Sequence, residues 1–222
     1  IPANSQIRSD LNGHVYLMRT SSDIISLSKS EFNYIKIPII QGQIENQTVT
    51  GTGEAFQTFN IQTGGPTAHD QVKVAVNGES WTIYNSLYDM NASTRGVIVK
   101  TGILGGIDLF FGNGNFGMIP NNGALITVEY IKTKGAAGNL GESKDVTFKF
   151  VDTGYDGVKN EYDLNELLEM QVTSSPKMGA DAESIEFTKL IAPMQSKSFV
   201  LATPDNYEHF LARYNMFSYI DA

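Results

Sequence analysis

The chain has 222 residues, 41% of them hydrophobic and 18% charged, with a formal net charge of −8. That composition is globular rather than disordered, and it is long enough for one large β domain or two smaller domains with a real core. The acidic balance, with Lys and Arg scattered along the chain, argues against nucleic acid as the main partner, because phosphate binding needs a basic face. There is no cysteine, so disulfides and thiolate metal sites are excluded, in keeping with assembly in a reducing cytosol. No apolar run approaches the ~20 residues that span a bilayer, and no signal peptide is visible. The chain opens on Ile1, inside what reads as a β segment, and stops at Ala222 just after an apolar stretch. It reads as a piece of a longer protein.

Residues 1–42 read as β. Asn12-Gly13 is a hairpin signal between Gln6–Ser9 and His14–Met18. Ile24–Leu27 is a short strand candidate. Tyr34–Ile40 alternates, with Ile35, Ile37 and Ile39 on one face. Pro38 removes a ladder donor, which places this strand at an edge or ends it early.

Residues 43–134 read as a second β unit. Phe56–Gln62 is one strand, broken by Thr63-Gly64-Gly65-Pro66. Val72, Val74 and Val76 alternate with Lys73 and Ala75, Asn77-Gly78 follows, and then comes Trp81–Tyr84. This is the clearest hairpin in the chain, because Asn-Gly suits a type I′ turn. Val97–Lys100 and Gly105–Phe111 form another pair, and Ala124–Lys132 closes the unit. Short strands at this spacing, with frequent turn signals, predict an antiparallel sandwich or barrel.

Between Ile107–Phe111 and Ala124–Lys132 lies Gly112-x-Gly114-x-x-Gly117, which spells the dinucleotide-binding fingerprint. The fingerprint needs a helix N-terminus to hold the pyrophosphate. Here Met118 to Gly123 leaves no room for one, so the glycines read as turn residues and no cofactor is expected.

Val146, Phe148 and Phe150 give one more alternating strand. After Gly157 the apolar spacing changes from that of a strand to that of a helix. Asp163 is a helix cap with Glu166 in the capping-box position, and Leu164, Leu167 and Leu168 share a face, predicting a helix over about 163–172. Asp181 opens a second over about 181–192, stopped by Pro193. Thr203-Pro204-Asp205 opens a third over about 203–214. Its stripe of Tyr207, Phe210, Leu211 and Tyr214, continued by Met216 and Phe217, is a candidate subunit interface as well as candidate core.

No catalytic pattern emerges. His14, His69 and His209 are far apart and none has ligand spacing, so no metal is expected. There is no nucleophile elbow, P-loop or zincin motif. Carboxylates such as Asp23, Asp70, Asp89, Asp108, Asp152 and Asp156 are abundant, but nothing selects the facing pair that a glycan hydrolase needs. Trp81, Tyr84 and Tyr88 invite a sugar-stacking platform. The plainer expectation is that Trp81 and Ile83 face the core with Tyr84 at the rim.

Three segments taken together resemble the baseplate J family of phage tail proteins. Ile1-Pro2-Ala3-Asn4-Ser5 is similar to the family's I-P-x-G-T opening, with Asn4 in place of Gly. Phe111 to Ala124, followed by Gly135-Ala-Ala-Gly-Asn139, resembles F-G-D/N-G-x-x-G-x-x-P-x-x-G with its G-x-x-G-N sequel. Gly179-Ala-Asp-Ala-Glu-Ser-Ile185 with Ala202-Thr-Pro-Asp-Asn-Tyr207 is close to G-A-D-x-E-S and T-x-E/D-D-Y-E, with Asn206 for the usual Asp. The segments are ordered and span nearly the whole chain.

The resemblance implies an α+β, mostly β chain. An antiparallel β unit of residues 43–134 would be inserted in a discontinuous α+β domain of residues 1–42 and 135–222. It implies a structural, non-enzymatic role without cofactors, in a virion tail baseplate assembled in the host cytoplasm. Copies of the chain would pair as a homodimer within a wedge and join other wedge proteins. The wedges would form a ring around the tail hub that rearranges on contraction. Neither nucleic acid nor a membrane is an expected partner. The alternative from a different class is a carbohydrate-binding β module or adhesin of a tail.

Overall fold

The computed structural model describes residues 1–25, 35–102, 106–140, 146–156, 158, 160–174, 179–181, 186 and 189. Residues Ile1–Asp181 form one compact unit and Ala182–Ala222 a second. The described part is mostly β, with 38% strand and 10% helix, as the alternating sequence patterns require.

In the first unit the flanking strands are β1 (Gln6–Ser9), β2 (Val15–Met18) and β3 (Ile39–Gln41). The middle of the chain gives β4 (Gln43–Thr50), β5 (Thr58–Ile61), β6 (Lys73–Val76), β7 (Glu79–Tyr84), β8 (Gly96–Thr101), β9 (Ile107–Phe111) and β10 (Leu125–Lys132). Then follow β11 (Phe148–Phe150), the two-residue pair β12 (Gly154–Tyr155) and β13 (Glu161–Tyr162), and the single helical turn α1 (Leu164–Leu167).

One sheet has four strands in the order β11-β1-β2-β3, so it draws from both ends of the unit. The other has seven strands in the order β4-β10-β6-β7-β8-β9-β5, drawn wholly from residues 43–132. In the four-stranded sheet the β1–β2 hairpin turns at Asn12-Gly13, where Gly13 has φ 69° and Asn12 Oδ1 accepts the His14 N–H at 3.0 Å. β3 begins directly after Pro38 and lies at the sheet's edge, where a residue without an N–H costs no ladder bond. Ile24 and Ile25 are not in a strand.

The core of this sheet joins Ile7, Tyr16 and Met18 to Leu140, Val146, Phe148, Phe150 and Leu164. Tyr16 meets Phe148 edge to face at 5.2 Å. Burial raises the Tyr16 pKa, and its hydroxyl donates to the Gly138 carbonyl at 2.8 Å. The outer side of β11 is occupied by a side chain. Asn165 Oδ1 accepts the Phe150 N–H at 2.7 Å and its Nδ2 donates to the Phe150 carbonyl at 3.1 Å. A single amide thus imitates a neighbouring strand and blunts an edge that would otherwise recruit another chain.

The seven-stranded sheet is antiparallel except between β7 and β8, which run parallel. The predicted hairpin is present: β6 and β7 pair across Asn77 (φ 51°) and Gly78 (φ 82°), both in the left-handed region that a type I′ turn demands. The inward face carries Ile61, Val74, Trp81, Val97, Leu109, Phe111, Ile126, Val128 and Tyr130. The sheet curls into a nearly closed barrel whose edge strands are β4 and β5. Side chains bridge these edges. Gln47 Nε2 donates to the Gln62 carbonyl at 2.8 Å and to the Tyr130 hydroxyl at 2.9 Å, and that hydroxyl donates to Glu45 Oε2 at 3.0 Å. Gln57 holds the connection between them. Its Oε1 accepts the Thr52 N–H at 2.9 Å, and its Nε2 donates to the Pro120 carbonyl at 2.9 Å.

Other details differ from expectation as well: of the strand expected over Tyr34–Ile40, residues 35–38 are not in a strand. The predicted helix over 163–172 is the single turn α1, which ends at Leu168 (φ −129°, ψ 137°). Asp163 does cap it, accepting the Asn165 N–H at 2.8 Å. Beyond it residues 168–174 are neither helix nor strand, and Met170 and Val172 pack on the four-stranded sheet's core. Ile83 is 39% exposed rather than core, while Trp81 beside it is 7% exposed. The strand expected from Phe56 begins at Thr58, because Phe56 takes a left-handed conformation (φ 57°). Of the helix expected over 181–192, Asp181 is not helical, Glu186 and Lys189 are, and the rest lies outside the described residues. The helix over 203–214 also lies outside them.

Candidate functional site

The interface candidates Tyr207, Phe210, Leu211, Tyr214, Met216 and Phe217 all lie outside the described residues. Among the described residues no group of three or more His, Asp or Glu side chains is placed to hold a metal ion. His69 Nε2 lies 3.3 Å from both the Thr67 and Thr101 hydroxyls, an exposed polar contact between loop and strand.

Several carboxylates are engaged in local structure. Asp152 Oδ2 accepts the Gln6 N–H at 2.6 Å, and Asp163 caps α1. Asp156 folds the β12–β13 turn around itself. Its Oδ1 accepts the Asn160 and Val158 N–H groups at 2.9 and 2.8 Å, and its Oδ2 accepts from Asn160 Nδ2 and the Tyr162 hydroxyl. The Asn160 bonds, chiefly the backbone one, hold the Asp156 carboxyl down to about 2. The signal in the sequence is the Asp-Gly-x-x-Asn turn chemistry.

The glycine fingerprint is a turn. Gly114 (φ 87°) and Gly117 (φ 80°) close it through the Gly114 N–H to the Gly117 carbonyl at 2.9 Å, and the chain then runs without a helix to β10. Trp81 lies in the core, as the plainer expectation had it: it packs edge to face on Phe111 at 5.5 Å inside the barrel, and no sugar platform is built on it.

What the fold does bring together are segments that carry the sequence motifs. The Gly135–Asn139 loop and the Gly179–Asp181 segment clasp each other. Asn139 Oδ1 accepts the Gly179 N–H at 2.8 Å, and Asn139 Nδ2 donates to the Gly179 carbonyl at 2.8 Å. Asp181 Oδ1 accepts the Ala136 N–H at 3.0 Å. Gly135 is left-handed (φ 55°), and a Cβ there would strike the Asp181 carboxylate and stand 3.1 Å from the Ala180 carbonyl. Only glycine fits that position without displacing the clasp. In the opening motif, Ser5 Oγ donates to the Pro2 carbonyl at 2.7 Å and Asn4 is left-handed (φ 56°), the conformation that glycine would take more easily.

Beside this clasp lies a cavity of about 1070 Å³. Its floor is the face of the four-stranded sheet formed by Ile7, Met18, Ile39, Phe148 and Phe150, with Met170 along one wall. Gly135, Asn139 and Gly179 stand on its lip. Apolar side chains share its lining with Lys36, Gln41, His69, Asp70 and Glu169.

No family model, no curated protein and no solved structure matches the chain.

Proposed function

We propose that this chain is a structural component of a phage tail baseplate wedge of the T-even type. It joins copies of itself and other wedge proteins into a ring around the tail hub, and it takes part in the rearrangement of that ring on contraction. The observation that carries the proposal is the clasp. Two of the segments that resemble the baseplate J family are separated by 40 residues and hold each other through Asn139 and Gly179. Motif residues that serve a common scaffold are expected to meet in this way, whereas motif residues of an enzyme would converge on a polar cleft. Around the clasp the chain offers a recess partly lined by apolar side chains, which suits a protein that works through its surfaces. In a closed ring such contacts are multivalent, so each can be modest. Rearrangement needs interfaces with two discrete arrangements.

Immunogold electron microscopy tests the proposal. Antibody against this chain, applied to tailed particles from a lysate of the virus that encodes it, is expected to label the baseplate end of the tail. Label on the capsid or tail fibres, or particles without label in a lysate that contains the chain, would overturn it.

A further inference from the structure

The barrel has two unlike rims. β4 starts and β10 ends at one rim, where Gln43 pairs with Lys132, so the chain enters and leaves the barrel there beside the four-stranded sheet. At the opposite, distal rim β4, β6 and β9 end, and β5, β7, β8 and β10 begin. Besides the Asn77-Gly78 hairpin, three longer connections meet at this distal rim. Residues 51–57 and 112–124 are joined by the Phe56 N–H to the Gly112 carbonyl at 3.0 Å, and residues 85–95 are joined to the second by the Gly117 N–H to the Asn91 carbonyl at 3.1 Å.

These connections hold large aromatic side chains out toward solvent. Tyr88 is 83% exposed, Phe56 53% and Phe116 40%. The Tyr88 and Phe116 rings meet edge to face at 5.6 Å, so they form a fixed pair rather than two loose side chains. Phe56 adds a second, independent observation. It holds a left-handed backbone (φ 57°), which is rare and strained for a bulky residue, yet its side chain gains little burial in return. Packing does not account for an aromatic in that place.

The connections that carry the rings also carry the amides of Asn91 and Asn113. Asn113 Oδ1 is turned back onto the Asn115 and Phe116 backbone N–H groups at 3.0 and 2.9 Å, and Asn91 Oδ1 onto the Ser93 N–H and the Ser93 and Thr94 hydroxyls. Each amide therefore has its oxygen engaged and its NH₂ group left as a donor. The three connections contain the carboxylates Glu54 and Asp89 and a single cation, Arg95, which is paired with Glu79 at 3.2 Å. A rim without an unpaired cation disfavours phosphate, nucleic acid and acidic glycans. Exposed aromatic faces with amide donors fit a neutral ligand that has both C–H faces and hydroxyl acceptors.

We propose that the distal rim, through Tyr88, Phe116 and Phe56 with the Asn91 and Asn113 amides, is a binding platform for a neutral glycan. The proposal does not rest on the baseplate assignment. Pyranose C–H faces stack on Tyr88 and Phe116, and the amides donate to ring hydroxyls.

The test is ¹⁵N NMR titration of the full chain with chitohexaose, maltohexaose and cellohexaose, each to millimolar concentration. At least one sugar is expected to shift amides of residues 86–95 and 112–117 in a saturable way. Tyr88→Ala and Phe116→Ala are expected to weaken that sugar about tenfold while leaving the spectrum of the barrel core unchanged. Phe56→Asn keeps the backbone conformation and is expected to weaken it as well. Shifts from none of the sugars, shifts confined to other surfaces, or unchanged affinity in all the variants would overturn the proposal. So would concentration-dependent self-association that Phe116→Ala abolishes, since the rim would then bind a second copy of the chain.

Discussion

Asn139→Ala cuts the clasp between Gly135–Asn139 and Gly179–Asp181 at its most direct point. The side chain makes two hydrogen bonds to Gly179, both 2.8 Å. A neutral hydrogen bond contributes about 0.5–1.5 kcal/mol net, and at this exposed site water replaces the lost partners, so the expected cost is about 1–2 kcal/mol of local stability. The useful reporter is the amide of Ala136, which keeps its own acceptor, Asp181 Oδ1, in the variant. If the two contacts form one cooperative clasp, its exchange with solvent should accelerate about 5- to 30-fold. Asp181→Ala should accelerate exchange of the Gly179 amide in the mirror experiment, as coupled neighbours do. Amides of β4 and β10, such as Val49 and Val128, serve as controls and should not change. An Ala136 rate unaffected by Asn139→Ala would refute the reasoning, because the two contacts would then be independent. Asn139→Asp adds a pH test. The introduced carboxyl can accept the Gly179 N–H in either form, but only its protonated form can also donate to the Gly179 carbonyl. The clasp should therefore keep both contacts at low pH and lose the one to the carbonyl as the carboxyl ionises.

Trp81→Ala removes the chain's single tryptophan from the barrel core beside Phe111 and should cost about 3–5 kcal/mol in urea unfolding; a loss below ~1 kcal/mol would mean that the indole is not packed. Phe56→Asn keeps the left-handed backbone with a residue that tolerates it and should raise stability by about 0.5–1 kcal/mol, read as a higher melting temperature; a lower one would show that the phenyl ring is buried after all. The Asp156 carboxyl titrates at about 2 against an ordinary 3.8. Because its pKa is depressed in the folded chain, its contribution to the β12–β13 turn is present above about 3.8 and is lost as pH falls through about 2. The Asn160 amide shift should follow that midpoint and lose it in Asp156→Asn; a midpoint near 3.8 would contradict the network.

The barrel's hairpins were legible because their signals are local. Val72 to Tyr84 combines period-two alternation with Asn77-Gly78, and both features survive any tertiary context. Closure of the barrel was not legible, since it depends on Gln47 and Gln57, polar residues whose partners Gln62, Tyr130 and Pro120 are fixed only by the fold. The stretch after Asp163 supports two periods at once. Leu164, Leu167 and Leu168 fit a helix, while Leu168, Met170 and Val172 fit a strand. After one helical turn the chain forms neither, and Met170 and Val172 pack on the sheet core at Phe148 and Phe150. Asn165 as an imitation strand has no sequence signature at all, because an asparagine after a cap reads as ordinary helix surface. The acidic, cysteine-free composition and the motif glycines and asparagines were plain in the sequence. That Asn139 and Gly179 meet was not, since loop-to-loop pairing leaves no periodic trace.

The central claim is that the chain works by assembly. The most direct measurement is its mass in solution by light scattering, alone and mixed with the wedge proteins of the virus that encodes it. A dimer alone, or a stable complex with those proteins, is the predicted result. A monomer at all concentrations that forms no complex with any wedge protein would contradict the claim.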